Sequence, residues 1–253
     1  MSSVQVLNTQ YVQLHDDYGP KSLTLIGNLS VPLYDNAIGA TTSNTVVQGF
    51  TGPSSTIAVP SIDEQVAKFL KSPPESFATD HPLFVFLGRA NDVIFNPNVT
   101  ASQSFQALMA SKTNLEAAYP SAHFLFLSYP DLSHIPYDFY LSGLAQRELG
   151  TFSKELRQLY MDMTVDNVRN PNANSQHVDL GGLFEEWDYY GEPQEYGFSL
   201  LGSYRSCLVG VYQETDHVTL CENPDEMVFW DEFHPSTHAH SWIARKVLDA
   251  LKA

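Results

Sequence analysis

A three-layer α/β fold built on a parallel sheet is what the sequence predicts, on three observations. Two short, continuous apolar runs, "LFVFLG" at 83–88 and "HFLFLS" at 123–128, end at glycine or a polar residue. Such runs suit strands buried on both faces, as parallel strands are. The segment between them, "TASQSFQALMASKTNLEAAYP", carries Phe105, Leu108, Met109 and Leu115 at helical spacing before a proline stop, which completes a βαβ unit. Further helices then follow the strands, and that alternation is the mark of layered α/β architecture.

Taken in order, the later elements are as follows. A long helical pattern runs from about Phe139 to Met163, with Leu144, Leu149, Phe152, Leu156 and Leu159 expected on its buried side. A weak strand is expected near "HVDLGGLF", and a last helix over "STHAHSWIARKVLDALKA" with Trp242, Ile243, Val247, Leu248 and Leu251 as its buried stripe. No repeat, low-complexity block or linker divides the 253 residues, a length that buries a substantial core in one domain. In such sheets the loops at the carboxyl ends of strands carry the chemistry, and "GRANDVIF" sits at one of them.

Charge narrows the partners. With 29 acidic against 13 basic residues, the net charge of −16 repels phosphate backbones and anionic lipid surfaces, so nucleic acid is excluded as a natural partner. No run of eighteen apolar residues exists to span a bilayer. Only 17% of residues are charged while Tyr, Phe, Asn, Ser and Thr abound, a balance suited to neutral substrates. The start, "MSSVQVLNTQYVQL", lacks the basic and apolar regions of a signal peptide. Asn28 in "NLS" and Asn98 in "NVT" are glycosylation candidates, a short pattern that also arises by chance. Cys207 and Cys221 flank a turn-rich stretch and read either as a loop-closing disulfide or as two buried thiols.

Three stretches hold candidate chemistry. In "YDNAIGATTSN", Gly39 either offers its N–H to a ligand or simply makes a turn. In "GRAND", the Asn91 amide can donate to an oxyanion and Asp92 can orient the loop; an Asx turn is the competing reading. In "FWDEFHPSTHAH", Asp231 and His234 stand three apart, an acid positioned to hold the tautomer of a general base. His234, His238 and His240 do not make a metal site: on a helix 238 and 240 point in different directions, so capping or solvent-facing roles explain them. No metal or cofactor is expected.

These stretches, in this order, resemble the SGNH (GDSL-type) hydrolases, most closely fungal secreted acetylesterases of carbohydrate esterase family sixteen and their lipase-like relatives. "NAIGATTSN", "VPSIDEQVAKFL", "FVFLGRANDVIF", "FLFLSYPDLSHIP", "YGF" and "CENPDEMVFWDEFHPSTHAH" are similar to its successive landmarks from about residue 31 to the end. The resemblance implies a flavodoxin-like αβα sandwich with a five-stranded parallel sheet and serine hydrolysis of a small acyl ester or acetylated sugar. It also implies a monomeric, extracellular protein, and it sets 31–253 as the domain proper and leaves residues 1–30 as an atypical N-terminal segment. It assigns Gly39 and Asn91 to the oxyanion hole, Asp231 and His234 to the acid and base, and a disulfide to Cys207 and Cys221. Two departures stand out: one glycine where the family has two adjacent, and Arg89 where G-x-N-D places a glycine.

The family's nucleophile belongs in a G-D-S motif at the end of the first strand. The chain contains no "GDS" and no G-x-S-x-G, and none of Ser2, Ser3, Ser22 and Ser30 follows a Gly-Asp lead. The signal peptide, first strand and nucleophile of the family are absent together. The expectation is therefore an N-terminally truncated or mis-started reading of an esterase, with a binding-only pseudoenzyme as the alternative class. "VQVLN" at 4–8, or "LTLI" at 23–26, is the candidate to fill the first strand's place.

Overall fold

The computed structural model describes residues 4–7, 33–35, 39, 41–51, 55–75, 77, 81–88, 90–170, 172–210 and 218–252. Five strands form one sheet: β1 (Val4–Leu7), β2 (Leu33–Asp35), β3 (Leu83–Leu87), β4 (His123–Leu127) and β5 (Ser175–Val178). Their order is β2-β1-β3-β4-β5 and every neighbouring pair is parallel. All five carboxyl ends therefore share one edge. The first strand's place is taken by residues 4–7: Val4 pairs with Leu33 on one side and with Leu83 on the other. The alternative filler at 23–26 lies outside the described residues.

Alternation along β3 and β4 separates two kinds of face. Phe84 and Phe86 pair in register with Phe124 and Phe126, so four phenylalanines point the same way, with ring centroids 5.6 and 5.2 Å apart across the strands. On this face lie α1 (Ile62–Lys71), α3 (Ala101–Ala118) and α4 (Gly143–Arg169). Phe69 of α1 meets Phe84, Lys112 of α3 lies over Phe124, and Tyr160 of α4 meets Phe126 and stacks on His177 of β5. The opposite face, with Val85, Leu87, Leu125, Leu127 and Val178, is the side of α6 (Thr237–Ala250), whose last carbonyl accepts from Gln176 of β5. That is the three-layer sandwich the alternating pattern predicts.

Three sequence expectations change. The long helix starts at Gly143, not Phe139, because Ser142 caps it by accepting from the Ala145 N–H, and it continues to Arg169. Leu144 is exposed, because it precedes Leu149 by five residues, a turn of about 140° away from the buried row. "HVDLGGLF" is a strand only as far as Val178: Asp179 then caps a short helix, α5 (Leu180–Glu186), by accepting from Gly182 N–H. Third, His240 does not face solvent. The last helix buries Ala239, His240, Ile243 and Ala244 and leaves Leu251 exposed. Among the described residues no helix is long and apolar enough to cross a membrane.

Candidate active site

The acid–base pair is built by one tight turn. Asp231 Oδ1 accepts the backbone N–H groups of Phe233 (2.9 Å) and His234 (2.7 Å), so the carboxylate itself folds the chain back on it. The His234 ring then arrives with Nδ1 2.9 and 2.8 Å from the two carboxylate oxygens. A carboxylate only accepts, so Nδ1 carries the proton and Nε2 is left as the basic nitrogen. Asp231 is buried while the His234 side chain keeps 19% of its surface, enough to meet a substrate.

Two supports fix this turn. Cys207 and Cys221 are disulfide-bonded, and the segment from Cys207 runs beside the turn: Cys207 N–H donates to Phe229 O (3.0 Å) and Leu208 N–H to Trp230 O (2.6 Å). A two-stranded ladder of β6 (Leu208–Val209) and β7 (Thr219–Leu220) backs the bridge. On the other side Tyr137 donates its N–H to Glu232 O (3.0 Å) and lays its ring 4.3 Å from that of Phe233. Glu232 is fully buried and accepts from Gly210 N–H at 2.9 Å. The sequence assigns no role to Tyr137, which lies in no motif, or to Glu232, which stands inside "FWDEFHPSTHAH" only as spacing between acid and base.

Asn91 lies on α2 (Ala90–Phe95), which starts three residues after the end of β3 and so stands at the carboxyl edge. Its neighbour Asp92 is completely buried and reaches across the edge to the glycine block, accepting from Thr42 N–H (2.8 Å) and Thr42 Oγ1 (2.6 Å). Asp92 is thus the strut between the two expected oxyanion segments, rather than half of a local turn. The Gly39 segment is held from behind as well: Ile62 and Asp63 at the start of α1 donate their N–H groups to Thr41 O and Thr42 O, and Ser43 Oγ donates to Asp63 (2.6 Å). Gly39 itself is half-buried. Arg89, Asn28 and Ser2, Ser3, Ser22 and Ser30 lie outside the described residues, and Asn98 is exposed in the turn before α3.

A cavity of about 90 Å³ lies between α2, the Tyr137 segment and α4, lined by Val93, Ile94, Tyr137, Leu141 and the first turns of α4. Tyr137 is the shared wall between it and the His234 turn. His238 and His240 are structural. His238 Nε2–H and Trp242 Nε1–H both donate to Tyr196 O, at 2.8 and 3.0 Å. Burial, helped by the nearby His234, pushes the His240 imidazole down to about 3, so it is neutral. No group of three metal-binding side chains occurs among the described residues.

Residues 7–247 match the family described as GDSL-like Lipase/Acylhydrolase. Three GDSL esterase/lipases of Arabidopsis thaliana are similar to the chain. One is 32% identical over 104 residues, 39% of this chain and 26% of that protein. The second is 29% identical over 93 residues, 34% and 24% respectively. The third is 28% identical over 119 residues, 42% and 30%. The matched stretch thus spans less than a third of each relative's length. Among solved structures, phospholipase A1 from Streptomyces albidoflavus NA297 superimposes with a TM-score of 0.52 at 11% identity, covering 98% of this chain and 99% of that one. At that identity the likeness speaks for the fold alone.

Proposed function

Because the chain belongs to the GDSL-like lipase/acylhydrolase family, we propose that its site is that of a carboxylic ester hydrolase working through a serine hydroxyl. The observation that carries this reading is the Asp231–His234 pair, with Nδ1 held by both carboxylate oxygens and Nε2 basic. His234 takes the proton of the attacking hydroxyl as its oxygen bonds the acyl carbon. Gly39 N–H and the Asn91 amide receive the oxyanion that the carbonyl becomes. His234 then returns the proton to the departing alcohol, and water repeats the sequence to free the acid. Asp231 stabilises the imidazolium at each stage. Small acyl esters, acetyl groups on sugars among them, are the proposed substrates, handled without cofactor by an extracellular monomer. The Cys207–Cys221 bond and the exposed Asn98 sequon favour that location.

The nucleophile is the unassigned member, since the sequence holds no "GDS". That same feature favours a second reading, a pseudoenzyme that keeps the cleft for binding. The two are separated by one experiment. As written, the chain should show no hydrolysis of an aryl acetate above an imidazole blank and no fluorophosphonate labelling. Asn8→Gly, Thr9→Asp and Gln10→Ser together write Gly-Asp-Ser directly after β1. Turnover in that variant, lowered by about a thousandfold or more when His234→Ala is added and unchanged by a chelator, is the expected result. Turnover indifferent to His234→Ala overturns the base assignment. A serine labelled in the unaltered chain overturns the pseudoenzyme reading and identifies the nucleophile.

A further inference from the structure

The segment Pro136–Tyr140, a 3-10 turn, has two sides. Tyr137 faces inward onto Phe233, beside His234. Phe139 and Tyr140 face outward, 55% and 52% exposed. Phe139 meets the ring of the half-buried Tyr204 at 6.2 Å, and Tyr204 donates its hydroxyl to Asp188 Oδ1 at 2.5 Å. The two residues after Asp188 are Tyr189 and Tyr190, packed edge to face at 5.2 Å and exposed by 48% and 91%. Five aromatic rings therefore gather on one surface that begins at the back of the catalytic turn. Nothing in the core needs a tyrosine that is nine-tenths exposed, and clustered exposed aromatics mark binding surfaces.

Charge and hydrogen bonding select the occupant. Residues 185–195 hold five acids, Glu185, Glu186, Asp188, Glu192 and Glu195, and no lysine or arginine. An anionic lipid surface is met by basic residues, so this fringe repels one. The carboxylates nearest the rings are also engaged already: Glu185 with Arg157, Glu186 with the Tyr196 hydroxyl, Asp188 with Tyr204. They do not stand as open anions for a basic protein, and Arg205 after Tyr204 softens the field further. What the surface offers is exposed ring faces beside carboxylate and phenol oxygens. An uncharged, hydroxyl-rich chain fits both, its C–H faces on the rings and its hydroxyls on the oxygens.

We propose that Phe139, Tyr140, Tyr189, Tyr190 and Tyr204 form a platform on which a neutral polysaccharide chain docks beside the catalytic turn. That the docked chain then presents esters to His234 rests on the proposed function; the docking does not. The test is native-gel mobility of the full chain in gels containing hydroxyethylcellulose, compared with polygalacturonate, together with flotation on phosphatidylcholine vesicles. Retardation by the neutral polymer alone, insensitive to salt, is expected. Tyr190→Ala and Phe139→Ala should each weaken it several-fold while the circular dichroism stays native, and Tyr190→Ala should leave aryl acetate turnover of the Gly-Asp-Ser variant unchanged. The proposal is overturned by no retardation, by retardation equal in the variants, by retardation that salt abolishes, or by vesicle binding that depends on these rings. Loss of turnover with docking intact counts against the esterase reading instead.

Discussion

Replacing Asp92 by alanine is the most direct probe of how the site is assembled. The carboxylate is fully buried and accepts two hydrogen bonds from Thr42, at 2.8 Å from the backbone N–H and 2.6 Å from the hydroxyl. In Asp92→Ala both donors lose that acceptor, and a buried unsatisfied donor costs about 1–3 kcal/mol. With the cavity left behind, the loss of stability should be about 3–5 kcal/mol. Thr42→Val removes the hydroxyl and takes one donor from the buried carboxylate, which should cost about 1.5–3 kcal/mol. Urea denaturation at neutral pH followed by fluorescence measures both, provided the m-value is unchanged. The double variant should lose less than the sum of the singles, because the two residues share a bond. In the Gly-Asp-Ser variant, turnover should also fall, since Gly39 and Asn91 would no longer be held in one register. A loss below about 0.5 kcal/mol in Asp92→Ala, or strict additivity with Thr42→Val, would refute the strut.

Two further expectations concern stability. The Cys207–Cys221 bond, closing a separation of 14 residues, should contribute about 3 kcal/mol by restricting the unfolded chain, so reductant should lower the urea midpoint; two titratable thiols in the denatured, unreduced protein would disprove the bond. His240 is held near 3 when folded against 6.5 unfolded, so the unfolded chain binds the extra proton between those values. Stability from this residue is then present above pH 6.5 and lost as pH falls toward 3, at up to about 1.4 kcal/mol per pH unit. His240→Asn should flatten the pH dependence of thermal unfolding between pH 6 and 4, and an unaltered slope would show that the imidazole is not the group responsible.

The layered fold was legible because buried parallel strands are written as apolar runs and helices as a 3.6-residue period, both local signals. "LFVFL" and "HFLFL" became β3 and β4 within a residue of their expected bounds. The Asp231–His234 contact was legible for the same reason, since three residues of chain bring acid and base together whatever the rest does. Helix starts were less so: Ser142 competes as a cap with the apolar pattern that runs through it, and the cap decides. His240 shows the limit of composition, for nothing in "THAHSW" says which histidine the sheet will cover, and the covered one is two residues from the partly open His238.

By itself the sequence determined the succession of β3, α3, β4, α4, β5 and α6, the acidic character that turns away polyanions, and the chemical types at each candidate position. Only the tertiary structure decided that residues 4–7 form the interior strand between β2 and β3, that Asp92 spans fifty residues to reach Thr42, and that Tyr137 backs the Asp231–His234 turn. It alone brought Phe139, Tyr189, Tyr190 and Tyr204 onto one surface. The reason is one of range. Periodicity and capping act over a few residues and can be read along the chain, whereas the strand pairings and buried polar bonds join residues whose separation carries no local mark. Those partners are chosen by which arrangement leaves the fewest buried donors unsatisfied, and that is a property of the whole packed fold.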